Sequence, residues 1–247
     1  MRTDGSALLT ASLVRKLEAR DDLSNEERVI IEQMFTEARL IKAGDDIVRD
    51  GDRPRHSTLV VSGVAARYKV LQEGERQITA LHLAGDFVDL HSFMLKEMNH
   101  GVTAISQCRI ATVPHETLSA LSVSQPHLTR LFWLLTLLDG AMHREWLVAM
   151  GRRSAVGQLA HLICELKTRL SVVGTGDQDS FTMPVTQVDL SDILGLSSVH
   201  VNRVLQELRG DNLIAWKGVN VSILDWKGLL RVAEFDDRYL HIVKEPR

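Results

Sequence analysis

The stretch TQVDLSDILGLSSVHVNRVLQELRGDNLIAWKGVNVSIL, residues 186–224, decides the fold of the C-terminal part of this chain. Thr186 is a favourable N-cap residue, and Asp189 three residues later resembles the second member of a capping box, so a short helix begins here. That helix ends at Gly195, because glycine readily adopts the left-handed conformation that terminates helices. Ser197 caps a second helix after only a brief turn, and this spacing predicts a helix-turn-helix.

The second helix has two different faces when its residues are placed about 100° apart around the axis. The apolar face, which we expect to be buried, carries Val201, Val204, Leu205 and Leu208. The opposite face carries Arg203, with Asn202 on its flank. These side chains can form bidentate hydrogen bonds with guanine and adenine in the DNA major groove. We therefore predict that the helix reads DNA through Ser197, Ser198, Val199, His200, Asn202, Arg203 and Gln206.

A β-hairpin wing is expected after the second helix. Two short apolar runs flank Lys217 and Gly218, and Lys217 would contact a DNA phosphate. The local charge argues against DNA binding, because residues 186–217 carry three basic and four acidic side chains. The alternative is an ordinary pair of solvent-facing helices. The basic surface would be larger if it included Arg152, Arg153, Lys167 and Arg169.

The N-terminal half has the sequence pattern of a β-protein. From about Ile41 to Val113, short apolar runs such as STLVVSG, AARYKVL, ITALHL and RIATVP alternate with glycine and aspartate turns. The segment QEGER between two of these runs predicts a hairpin. Many short strands joined by tight turns predict a sandwich or a barrel-like roll.

A long helix follows, from Pro126 to about Ala149, because apolar residues recur there every three or four positions. A helix with so much apolar surface needs cover on two sides, and we expect the roll on one side and the same helix of a second subunit on the other. The alternative is a core helix that its own chain covers completely. Asp139 is the polar exception on the predicted dimer seam, which consists of Leu128, Phe132, Leu135, Met142 and Trp146.

The bulk composition excludes several classes of protein. The net charge is −3, so any binding to nucleic acid must use a local patch. Two cysteines are too few for a disulfide framework, which favours a reducing compartment. Arg15 and Lys16 interrupt the N-terminal apolar stretch, and the run Leu131–Leu138 is far too short to span a bilayer. We therefore predict a cytoplasmic protein with no membrane segment.

Taken together, these patterns resemble the Crp/Fnr superfamily of bacterial transcription regulators over nearly the whole chain. The resemblance is carried by KAGDDIVRDGD, LVVSGVAARYKV, EGERQITALHLAGDFVDL and CRIATVP, and then by GLSSVHVNRVLQELRGDNLI. It implies an α+β fold with an N-terminal cyclic-nucleotide-binding-type β-roll (jelly-roll-like), a long dimerisation helix and a C-terminal winged helix-turn-helix. It also implies a homodimer on a palindromic DNA operator, RNA polymerase as a protein partner, and no enzymatic activity.

The resemblance divides the chain into four parts. These are a helical lead-in at residues 1–25, a β-roll sensor at 26–118, a dimerisation helix at 119–151 and a winged helix-turn-helix domain at 152–247. Matched position by position, the base-reading residues of the family correspond to Ser198, Val199, Asn202 and Arg203. Arg203 corresponds to the most constant reader, whereas Val199 replaces a common glutamate, so we expect a different preferred operator.

The sensor departs from the cAMP-binding members of the family. Their phosphate site has a Gly-Glu pair followed by Arg-Ser or Arg-Thr, whereas GDFVDLHSFMLKEMNHGVTAIS has neither. Asp86 and Asp89 would repel a cyclic phosphate without a guanidinium to offset them. We therefore expect no tight binding of cAMP. An unidentified effector would bind near Asp86, Asp89, Asn99, His100 and His143.

We expect neither an iron–sulfur cluster nor a haem, and we predict no metal site. A cluster of the type found in this family needs four cysteine ligands, whereas the chain has only Cys108 and Cys164. A haem would rely on one of the ten histidines, and a single histidine is more often structural.

Two other functions are alternatives to DNA binding. A cupin-type β-barrel enzyme needs a His-x-His and glutamate metal set, but His82 and His91 lack this spacing and no Gly-x-Ser-x-Gly motif is present. A nucleotide-binding module that regulates a protein partner would leave the helix-turn-helix and the wing unexplained.

Overall fold

The structure is a computed structural model that describes residues 3–36, 38–175, 177 and 179–247, with side chains from Leu9 onward. The chain divides into two compact units. The first unit comprises Met1–Lys69, Ala80–Gly140 and Ile242–Arg247, and the second comprises Val70–Thr79 and Ala141–His241. These bounds differ from the four predicted parts, since the segments 70–79 and 242–247 each group with the unit that the sequence did not predict.

The β-roll is built from two antiparallel sheets. The strands are β1 (Arg39–Ile41), β2 (Asp46–Val48), β3 (His56–Ser62), β4 (Ala65–Val70), β5 (Arg76–His82), β6 (Gly101–Ala104) and β7 (Cys108–Pro114). The first sheet has the strand order β1-β7-β3, and the second has the order β2-β6-β4-β5. One hydrophobic core cluster contains residues of both sheets, among them the buried Val60, Val102 and Ile110. The predicted roll is therefore confirmed.

Helices flank the roll. They are α1 (Thr3–Glu18), α2 (Asn25–Gln33), α3 (Ser92–Leu95), α4 (His115–Ser124) and α5 (Pro126–Arg152). The helical lead-in predicted for residues 1–25 is thus two helices, of which α2 extends into the range assigned to the roll; residues 1 and 2 lie outside the described part of the chain. The long helix predicted from Pro126 to about Ala149 is α5, whereas the range 119–151 assigned to the dimerisation helix also includes residues 119–124 of α4.

The dimer seam predicted on α5 is largely buried by the chain itself. Leu128, Phe132 and Leu135 lie in the core of the first unit, where the Phe132 ring packs edge-on against Phe87 with centroids 5.9 Å apart. Trp146 is buried in the second unit and donates a hydrogen bond to Glu165 Oε2 at 3.0 Å. The predicted apolar stripe exists, but the chain itself, and not a second subunit, covers these four side chains.

The remaining predicted seam residue, Met142, is only half-buried. The large apolar side chains that α5 exposes are Trp133, Leu137, Leu147, Val148 and Met150.

Asp139, the polar exception of the predicted seam, has a specific partner. Its Oδ2 atom accepts a hydrogen bond from Arg67 Nη1 of β4 at 2.9 Å, and Arg67 is itself buried. A guanidinium inside a roll is costly unless a carboxylate neutralises it. The ion pair therefore explains a carboxylate in an otherwise apolar stripe.

The second unit contains the predicted winged helix-turn-helix. Its helices are α6 (Ala155–Val172), α7 (Gln187–Leu194), α8 (Ser198–Gly210) and α9 (Trp226–Ala233), and its strands are β8 (Ser180–Thr182), β9 (Ile214–Lys217) and β10 (Asn220–Ile223). A short 3₁₀ helix, Asp237–Leu240, follows α9. The strand order is β8-β10-β9, and α6 packs against α7, α8 and α9. Helix α6 is buried from Gly157 to Leu166, so it forms the centre of this unit.

None of the helices in the described part of the chain combines the length and the apolar character needed to cross a bilayer.

Candidate DNA-binding site and effector site

Helix α8 presents the predicted reading residues to solvent. Ser197, its N-cap, accepts a hydrogen bond from the His200 backbone amide at 3.3 Å. Val199 is 75% exposed, which is unusual for a large apolar side chain. The other exposed reading residues are Ser197, Ser198, Asn202, Arg203 and Gln206, while His200 is half-buried. The face predicted to be apolar is buried, at Val201, Val204, Leu205 and Leu208.

Helix α7 begins and ends as the sequence predicts. The Thr186 side chain accepts a hydrogen bond from the Asp189 amide, and the Asp189 carboxylate accepts one from the Thr186 amide, which completes a capping box. Gly195 closes the helix with a φ of 64°, a left-handed conformation that glycine adopts at little cost. Only Leu196 and the N-cap Ser197 separate it from α8, so the two helices form a helix-turn-helix.

Two amide side chains join α7 to α8 on the exposed side of the motif. Gln187 Nε2 donates to Asn202 Oδ1 at 2.9 Å, and Asn202 Nδ2 donates to Gln187 Oε1 at 3.0 Å. The sequence pattern gave no reason to select Gln187, because the pairing depends on the relative position of the two helices.

The wing follows α8 as a two-strand hairpin. Lys217 pairs with Asn220 across a two-residue loop in which Gly218 has a φ of 58°. Lys217 is exposed at the end of β9, which suits the predicted phosphate contact. Arg209 is already used within the unit, since its Nη2 atom donates to the Trp216 carbonyl at 2.7 Å.

Two of the four acidic residues near the predicted reading helix are neutralised by one arginine. Arg76 donates from Nη2 to Asp189 Oδ1 at 2.7 Å and from Nε to Asp192 Oδ2 at 2.6 Å. Both carboxylates belong to α7, which left the predicted basic surface thin. Because Arg76 lies 113 residues before Asp189, no local pattern could have identified this compensation. The other two acidic residues, Glu207 and Asp211, lie in the second half of α8 and at its end.

Two of the predicted effector residues, Asp86 and Asp89, already have partners in the chain. Asp86 accepts a hydrogen bond from the Leu83 amide at 2.8 Å and forms an ion pair with Lys16. Asp89 is fully buried and accepts hydrogen bonds from the amide and hydroxyl of Thr58. Its burial raises the pKa of the Asp89 carboxyl to about 7. Both aspartates therefore already have hydrogen-bond or ion-pair partners within the first unit.

Of the same set, Asn99 and His100 are in contact, whereas His143 belongs to the second unit. The Nδ1 atom of His100 lies 2.7 Å from Asn99 Oδ1, and the His91 ring lies 5.1 Å from the His100 ring between centroids. His100 is only 8% exposed. This burial, together with the positive charge of nearby Arg67, lowers the pKa of His100 to about 3.

Arg67 is a buried charged residue of the roll that the sequence analysis did not select. It lies on β4 opposite Val102, and it is held by Asp139 on α5. The available signal was a pair of complementary exceptions: an arginine that directly follows two alanines in β4, and an aspartate in an apolar helix seam.

A separate apolar cavity of about 500 Å³ lies in the first unit among α3, α4 and the start of α5. Its walls include Phe93, Leu118, Phe132 and Trp133. None of the predicted effector residues lines this cavity.

The described residues contain no group of three or more histidine, cysteine or acidic side chains arranged to hold a metal ion. Cys108 lies in the first unit and Cys164 in the second, and both are buried free thiols. Burial raises the pKa of Cys108 to about 11 and that of Cys164 to about 12.

A β-roll joined in one chain to a winged helix-turn-helix is the architecture of a DNA-binding regulator with a second, regulatory domain. Sequence models agree: one for the cyclic nucleotide-binding domain matches residues 38–124, and one for the Crp-like helix-turn-helix domain matches residues 157–232. The chain belongs to the Crp/Fnr superfamily of bacterial transcription regulators. It is therefore a DNA-binding transcription regulator and not a cupin-type enzyme.

Individual relatives support this assignment. The chain is 26% identical over 211 residues to the fumarate and nitrate reduction regulatory protein of Vibrio cholerae, covering 85% of this chain and 84% of that protein. It is 26% identical over 216 residues to the transcriptional activator protein FnrL of Cereibacter sphaeroides, covering 86% of each. Among solved structures, FixK2 from Bradyrhizobium japonicum matches with a TM-score of 0.73 at 22% identity, over 80% of this chain and 96% of that one.

The buried His100 gives a pH-dependent stability that can be measured. Its pKa is lowered in the folded state, so the unfolded state binds more protons below its ordinary pKa of about 6.5. We expect stability to be lost as the pH falls from about 6.5 towards 4, and His100→Gln to flatten this dependence. Urea unfolding of both proteins across this range measures the difference in slope. Equal slopes would contradict the buried neutral histidine, and His241→Gln, at an exposed histidine, serves as the control.

Proposed function

We propose that this protein is a homodimeric regulator that reads a palindromic operator with the first half of α8 and responds to an effector other than cAMP. The observation that carries the proposal is the row of exposed side chains on α8, which includes Arg203 and Val199, above a fully buried apolar face. Because a bacterial operator and RNA polymerase are both in the cytoplasm, we propose that compartment as its location and RNA polymerase as its protein partner.

The reading residues have distinct roles in this proposal. Arg203 forms a bidentate contact with guanine, and exposed Val199 packs against a thymine methyl group, for which an apolar β-branched side chain is suited. Ser197 and Ser198 are small and let the helix end approach the base edges. Lys217 of the wing, together with His200 and Gln206, contacts the backbone and the edges of the site.

Arg203→Ala is expected to abolish specific binding while leaving the fold intact, because Arg203 is an exposed residue of α8. One bidentate arginine–guanine contact contributes about 1–3 kcal/mol per half-site. Operators selected from random DNA by the wild-type protein, followed by footprinting of the variant, measure the loss.

Arg53→Ala is the matched control, since Arg53 is an exposed arginine of the β-roll. It should bind the selected operator as the wild-type protein does. An unchanged base preference in Arg203→Ala would rule out its role as a reader.

The dimer interface that we propose is the exposed face of α5. Trp133, Leu137, Arg144 and Leu147 follow each other at spacings of four, seven and three residues, which places them along one side of a helix. Trp133 is 65% exposed, Leu137 56% and Leu147 72%, so an apolar stripe faces away from the chain's own cores. A two-fold dimer would carry two copies of α8 to half-sites about 34–36 Å apart.

The double variant Trp133→Glu, Leu137→Glu is expected to be monomeric, because it would bring four negative charges into the interface of a dimer. Sedimentation velocity at micromolar concentration measures the molar mass in solution. Leu40→Glu is the control, since Leu40 is an exposed apolar residue of β1 and not of α5. A wild-type protein that is monomeric, or a double variant that stays dimeric, would refute the proposed interface.

The interior of the roll supports an effector other than cAMP. Arg67 is a buried guanidinium that could meet a phosphate, but Asp139 already neutralises it at 2.9 Å. A cyclic phosphate would have to displace that carboxylate and would then lie near Asp86 and Asp89, whose own partners are Lys16 and the polypeptide backbone around them. The loss of the charge-assisted pair between Arg67 and Asp139 would cost about 2–5 kcal/mol.

Titration calorimetry of the purified protein with cAMP is therefore expected to give no saturable heat. The affinity for the selected operator should also be the same with and without cAMP, and binding of that operator shows that the preparation is active. A dissociation constant in the low micromolar range with a matching gain in operator affinity would overturn this part of the proposal.

A further inference from the structure

The reciprocal pair between Gln187 and Asn202 occupies the part of Asn202 that DNA reading requires. Each side-chain amide donates to the oxygen of the other, at 2.9 Å and 3.0 Å. Two primary amides can bond reciprocally only if each uses its oxygen and the N–H on the same side as that oxygen. These two groups form one edge of the Asn202 carboxamide.

An adenine is read through the same edge. In the bidentate contact, the asparagine oxygen accepts from adenine N6, and its N–H donates to adenine N7. The two groups must again lie side by side on the amide. Asn202 therefore cannot bond to Gln187 in this way and to an adenine at the same time.

We propose that Gln187 is a specificity-determining residue that masks Asn202, so that an adenine is read only by displacing the Gln187 amide. This inference rests on the proposed function, since it assumes that α8 reads base edges. Gln187 acts through Asn202 as a positioning residue, and its exposed place at the start of α7 lets it move aside without disturbing the core.

The mask lowers the preference of Asn202 for adenine. In the free protein the two amides bond to each other rather than to water, so an adenine must replace a hydrogen bond between protein groups. The net gain is therefore smaller than for an Asn202 amide that is hydrogen-bonded only to water. The other bases lose nothing by comparison, because they do not need that edge. Removal of the Gln187 amide should therefore sharpen the discrimination between adenine and other bases at one position in each half-site.

The experiment first locates the position. Operators selected by the wild-type protein and by Asn202→Ala are compared, and the base pair whose preference changes is the one that Asn202 reads. Four operators that differ only at that base pair are then titrated with the wild-type protein, Gln187→Ala and Gln187→Met. The methionine variant keeps the length of the side chain without its amide.

For each operator we compare its dissociation constant with that of the operator carrying adenine. We expect this ratio to rise at least about threefold in both Gln187 variants, which is near the smaller end of the net effect of one hydrogen bond. A purely structural role for Gln187 would instead change the affinity for all four operators by the same factor and leave this ratio unchanged. Gln107→Ala, at an exposed glutamine of the β-roll, is the control and should leave both affinity and ratio unchanged.

An unchanged ratio would overturn the proposal, and a lower ratio would also overturn it, because the pair would then read DNA as a unit. The proposal fails as well if Asn202→Ala changes no base preference. Failure of the proposed function has a different signature, since the wild-type protein would then select no operator at all.

Discussion

The ion pair between Arg67 on β4 and Asp139 on α5 is the interaction on which the sensor depends. Arg67 is 6% exposed, and a buried guanidinium is tolerated only with a partner that neutralises it. The partner comes from α5, whose residues up to Gly140 belong to the first unit and whose later residues belong to the second. The same helix therefore neutralises the buried charge of the roll and also contributes residues to the second unit.

The DNA-binding unit solves its charge problem in a related way. Arg76 neutralises Asp189 and Asp192, so the acidic residues of α7 are compensated within the protein. Arg209 is committed to a backbone carbonyl of the wing. Most of the exposed side chains on the proposed reading surface are uncharged. Such a surface favours recognition by shape and hydrogen bonding over attraction by net charge.

Signals that depend on near neighbours predicted the structure well, whereas those that depend on distant partners did not. The capping residues Thr186 and Ser197 and the terminating Gly195 act within a few positions, so the helix-turn-helix could be predicted from the sequence. The apolar stripe containing Leu135 was found, but periodicity does not tell which molecule covers a stripe. The Arg67–Asp139 pair spans 72 residues, so only the folded chain brings its two charges together.

The two buried thiols have a practical consequence. Cys108 and Cys164 are the only cysteines of the chain, and burial with a raised pKa keeps both as unreactive thiols at neutral pH. A maleimide or a spin label would therefore find no reactive native site in the folded protein. One cysteine introduced on the surface of each unit could carry a probe without removal of the two native cysteines, which permits distance measurements between the units in an otherwise unchanged sequence.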